Sequence, residues 1–160
     1  MGLFEPDVRH GRGHGETHLI PRGPAITVIS PAQAAAAVSA AAALARPLTL
    51  ISAPDAASSV GPVWFAALVD DARAGFPDTE LESILDCGDA PGHALAALRI
   101  GFRTIRFDGP AAARIIDIAR QYNACVIPVR PESLDLQAIE ASGRDVGTAC
   151  TDWLNPTAGS

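Results

Sequence analysis

Asp55, Asp86, Asp89 and Asp108 stand just past the ends of short apolar runs, and Arg130 follows another such run. A carboxylate at the end of an apolar strand is partly desolvated and can be tuned for proton transfer or for cation binding. Asp86 is the most informative of these acids, because it closes the run Glu82-Ser83-Ile84-Leu85-Asp86 immediately before Cys87-Gly88-Asp89. It can serve as a general base, or hold a divalent cation with Asp89 or Asp55. The structural alternative is that it caps neighbouring backbone. Cys87 lies near an expected helix amino end, which lowers a thiol pKa, and His93 follows in the first turn of that helix. Cys87 and His93 are therefore a candidate nucleophile and base, with a buried Cys and a surface His as the alternative. Ser52, Asp55, Ser58, Asp108 and Arg130 are candidate ligand-binding residues, Arg130 as the nearby cation for an anionic group. Asp89 and Asp108 also suit helix N-caps.

Two further segments carry weaker chemistry. His10, His14 and His18 recur at four-residue spacing, but Gly11, Gly13 and Gly15 disfavour the helix that would align them. They form a weak candidate site for Zn²⁺ or Ni²⁺, or simply a solvated tail. The loop Ala53–Gly61 is rich in small and hydroxyl residues and can offer backbone N–H groups to a phosphate. It lacks the GxGxxG pattern of a dinucleotide site.

Composition removes other mechanisms. The chain has 160 residues and a net charge of -6, and all twelve of its basic residues are Arg. Without Lys there is no Schiff base, no pyridoxal phosphate attachment and no Walker A loop. The acidic balance argues against binding nucleic acid or an anionic membrane. Three separated cysteines, Cys87, Cys125 and Cys150, form no CxxC pair, so a reducing cytoplasm is the expected location. No apolar run is long enough to span a bilayer, and no signal-peptide core is present. No cofactor is expected beyond a divalent cation.

The elements that must position these residues alternate. Residues 1–24 form an expected tail, 25–154 an α/β domain and 155–160 a C-terminal tail. Strands are expected at 25–30, 48–52, 82–86, 104–107 and 124–129. Helices are expected at 31–46, 62–74, 91–100, 110–122 and 133–141, with a short element around Trp153. Ser30 with Gln33 makes a capping box, and Pro31 suits the first helical position. Pro128 places the fifth strand at a sheet edge. Alternating strands and helices imply a five-stranded, mainly parallel sheet in a three-layer α/β/α sandwich of flavodoxin-like order, with a partial (β/α) barrel as the alternative. Either way ligands bind outside the carboxyl ends of the strands. Arginines at 46, 73, 99, 103 and 120 fall at the opposite edge.

Residues 82–136 resemble part of a response-regulator receiver domain. The stretch Asn123-Ala124-Cys125-Val126-Ile127-Pro128-Val129-Arg130-Pro131, continued by Glu132-Ser133-Leu134-Asp135-Leu136, is similar to that family's passage from fourth helix to fifth helix. The resemblance puts Asp86 in the place of the phospho-accepting Asp. Three positions depart from the family. Ser30-Pro31 replace its acid pair, Arg130 replaces its Lys, and Asp108 replaces its hydroxyl residue. The resemblance thus implies a pseudo-receiver that works by contact through its fourth- and fifth-helix face.

Two functional expectations follow. One is a non-catalytic, receiver-like or flavodoxin-like module that binds a protein partner or a small ligand. The other is a small lyase or hydrolase acting on a small metabolite, phosphorylated or not, around Asp86. A homodimer is compatible with both.

Overall fold

The structure, a computed structural model, describes residues 22–155. Its strands are β1 (Ala25–Thr27), β2 (Leu48–Ile51), β3 (Leu81–Asp86), β4 (Thr104–Arg106), β5 (Cys125–Ile127) and β6 (Ser133–Asp135). Its helices are α1 (Pro31–Leu44), α2 (Ala56–Ser59), α3 (Pro62–Gly75), α4 (Pro91–Ile100), α5 (Ala112–Gln121), α6 (Leu136–Ala141) and α7 (Val146–Leu154). Local signals set several boundaries. The Ser30 hydroxyl accepts from the Gln33 N–H at 3.1 Å, and the Gln33 side chain accepts from the Ile29 N–H at 2.8 Å, so the capping pair starts α1. Asp145 starts α7 by accepting from the Thr148 N–H at 2.8 Å.

The α/β class, with a parallel sheet flanked by helices, is as expected. The sheet has six strands rather than five, all parallel, in the order β5-β4-β3-β2-β1-β6. This differs from the flavodoxin-like order, since β1 to β5 step in one direction and only β6 returns to the far side of β1. The sixth strand replaces the start of the helix expected at 133. Ser133-Leu134-Asp135 pairs with Ala25-Ile26-Thr27, and Asp135 then caps α6 through the Gln137 N–H at 3.0 Å. β5 is an edge strand, as expected, with Pro128 just beyond its last residue.

Stepping one way with right-handed crossovers puts the helices on one face. Residues of alternate phase divide accordingly. Ile26, Val28, Leu48, Leu50, Leu85, Ile105 and Phe107 share one core with helix residues such as Phe65, Leu98, Ile115 and Cys150. Ala25, Ile51, Ile84 and Ile127 form a second cluster on the other face. The sheet must therefore be curled. Ile127 ends β5 and Ser133 begins β6, six Cα steps on and at opposite edges. Six steps reach at most about 21 Å, whereas a flat sheet would hold those strands about 24 Å apart.

Most of the 1–24 segment, with His10, His14 and His18, lies outside the described residues, as does 156–160. Arg22 lies 3.7 Å from Glu80, and the Pro24 carbonyl accepts from the Thr49 N–H at 3.0 Å. Among the described residues no helix is long and apolar enough to cross a membrane.

Candidate functional site at the carboxyl mouth

The carboxyl ends of β1, β2 and β3 meet around Asp86, which is fully buried at 0% exposure. Its two oxygens are occupied. Arg130 Nη1 donates to Oδ2 at 2.8 Å, while Arg106 Nη1 at 3.4 Å and the Gly88 N–H at 2.9 Å donate to Oδ1. The Asp86 N–H donates to the Ser52 hydroxyl at 2.9 Å, and that hydroxyl donates to the Ala53 carbonyl at 3.0 Å.

Arg130 comes from the short β5–β6 connection and crosses the mouth of the curl. Besides Asp86, it donates to the Ser52 carbonyl at 3.0 Å and to the Thr27 hydroxyl at 3.2 Å. Thr27 meets the Ser133 hydroxyl at 2.7 Å. Arg106 donates to the Pro128 carbonyl at 3.2 Å and lies 3.6 Å from Asp108. One guanidinium thus ties β1, β2 and β3 together, and a second ties β4 to the chain leaving β5. Two arginines and one buried carboxylate form a clasp that holds the curl closed.

A second cluster lies beside it. Ser58 donates to Asp55 Oδ1 at 2.9 Å and sits 2.9 Å from His93 Nδ1. Asp55 adopts a left-handed conformation (φ 53) at the start of α2. Its carboxylate is seated against Gly88, where an added Cβ would come within 2.6 Å of Oδ1. Gly88 is therefore required twice, for its own positive φ of 58 and for this close approach.

The structure brings Ser52, Asp86 and Arg130 together, and separately joins Asp55, Ser58 and His93. Cys87 belongs to neither group. It is fully buried in the helix-side core, and burial, followed by the charges of Asp86 and Asp55, pushes its pKa up to about 12. The lowering expected from a nearby helix end is reversed, and the partner of His93 is Ser58. Asp89 and Asp108 are exposed and cap no helix, since the N-cap positions of α4 and α5 are Ala90 and Ala111. Cys125 is half-buried on β5. Among the described residues no three His, Cys, Asp or Glu side chains form a metal-binding group.

Sequence reasoning missed Arg106, Thr27 and Ser133. The signal was available in strand parity, because Thr27, Asp86 and Arg106 share the inward phase of neighbouring strands. Exposed apolar residues gather on the same edge: Ile29 after β1, Val60, Val63 and Trp64 after β2, and Val129 after β5. Neither protein-family models nor curated proteins give a match to this chain.

Proposed function

We propose that the chain is a non-catalytic module that binds a protein partner through the carboxyl edge of its sheet. The observation that supports this most is the state of Asp86. A general base or metal ligand needs a free lone pair facing substrate, and the Asp86 carboxylate is buried and engaged by Arg106, Arg130 and Gly88. The same burial argues against phosphoryl transfer to Asp86, in line with a pseudo-receiver. The rim supports a protein partner over a small ligand, since Val63 and Val129 are 70% and 74% exposed and Trp64 lies one residue from Val63. Apolar and aromatic side chains around a polar centre suit an interface.

A second copy of the chain is the partner to test first. Sedimentation across a concentration series should show a dimer, and Val63→Glu with Trp64→Glu should dissolve it without lowering the unfolding midpoint. The hydrolase alternative draws support from one contact only, Ser58 to His93 at 2.9 Å. Turnover of a carboxylate or phosphate ester, lost in both Ser58→Ala and His93→Gln, would overturn the non-catalytic reading.

A further inference from the structure

At the amino end of the curl the inner face carries two polar atoms, on Thr49 and Glu82, that lack partners among the described residues. The β2–β3 register sets Thr49 beside Glu82. Both are in inward phase, opposite to Leu48, Leu50 and Leu85 of the helix-side core. Thr49 is 0% exposed and its hydroxyl has no hydrogen-bond partner among the described residues. Oε1 of Glu82 is also shielded from solvent and without a partner among the described residues. Two residues further along each strand, Ile51 and Ile84 belong to the inner apolar cluster. That layer separates Glu82 from the arginines around Asp86.

A shielded carboxylate oxygen and a buried hydroxyl on adjacent strands call for a common third partner, because buried charges in proteins are paired or bind cations. We infer that the amino end of the curled sheet binds an alkali cation, Na⁺ or K⁺, between Glu82 Oε1 and Thr49 Oγ1. Both ligands are hard oxygens, which suit hard cations. One carboxylate balances one positive charge, whereas a divalent ion would leave net charge beside the fully buried Thr49. Glu82 as a whole is only half-buried, so water can complete the coordination from the amino-end side. This site is independent of the carboxyl-edge reading.

The test is thermal unfolding of the full chain at equal ionic strength in sodium, potassium and choline chloride. The midpoint should be about 2–4 °C higher in sodium or potassium chloride than in choline chloride. Glu82→Gln should remove that difference, and Thr49→Val should remove most of it. The isosteric Thr49→Val change keeps the test open if Glu82→Gln folds poorly. A bridging water alone predicts one midpoint in all three salts, and that result would overturn the proposal. A salt difference that survives in both variants would place the ion elsewhere and overturn it equally.

Discussion

The two ends of the curled sheet treat polar groups in opposite ways. At the carboxyl mouth, Asp86 has a donor for each oxygen and its N–H has an acceptor. At the amino end, Thr49 and Glu82 present a hydroxyl and a carboxylate oxygen with no partner among the described residues. Only a few residues of the same strands β2 and β3 separate the two cases. Burial alone therefore does not define a site. The satisfied acid behaves as part of the scaffold, and the unsatisfied pair is the place that asks for something from outside. Catalytic expectation had centred on the former.

The largest test of this contrast is Asp86→Asn. It leaves Arg130 and Arg106 facing a neutral group, and breaking a buried pair in this way should cost about 3 kcal/mol. Urea unfolding measures it. The double change Asp86→Leu with Arg130→Met should be less damaging than the sum of the two single changes, because the clasp is then removed whole. A loss below about 1 kcal/mol for Asp86→Asn, the range of an exposed ion pair, would mean that Asp86 does not hold the curl.

Much of this organisation was legible in the sequence, and the missing part has a physical explanation. Alternating apolar runs and capped helices located β1 to β5, and strand-end positions singled out Asp86, Ser52 and Arg130. The strand Ser133-Leu134-Asp135 was not legible. It has one apolar residue, and its end coincides with the Asp135 cap, so local pattern favours a helix start. The curl was hidden for a different reason. It follows from the shortness of the 128–132 connection only once β5 and β6 are known to lie at opposite edges. Cys87 was misplaced by reasoning along the chain instead of across it. Adjacent strand residues face opposite ways, so Asp86 at the inner mouth sends Cys87 into the helix-side core.

That opposition on β3 gives the next prediction. Burial raises the pKa of Cys87 from 9.0 to about 12 and that of Cys150 to about 11. The folded chain therefore keeps both thiols protonated where the unfolded chain ionises them. Stability from this source is complete below pH 9 and falls as pH rises from there towards the folded values. The chain has no Lys, which removes the side chain that most often titrates in this range. Urea midpoints should decline between pH 9 and 11, and Cys87→Ala should make the decline shallower, whatever it costs at neutral pH. An unchanged slope would put Cys87 in contact with solvent and undo its assignment to the core.

The smallest effects are the most diagnostic, because they differ in sign. Ser52 and Thr49 carry hydroxyls at or just beyond the end of β2 and within it, and both are buried. The Ser52 hydroxyl accepts from the Asp86 N–H, so Ser52→Ala strands a buried donor and should cost about 1–2 kcal/mol. The Thr49 hydroxyl accepts from and donates to nothing among the described residues. In choline chloride, Thr49→Val should then be neutral or stabilising by up to about 0.5 kcal/mol, since it removes an unmet polar group and keeps the shape. In sodium or potassium chloride the same change should turn destabilising, because it removes a ligand of the bound ion. Equal losses for Ser52→Ala and Thr49→Val in choline chloride would mean that Thr49 has a partner of its own. The contrast between the two ends of the sheet would then reduce to a difference in depth.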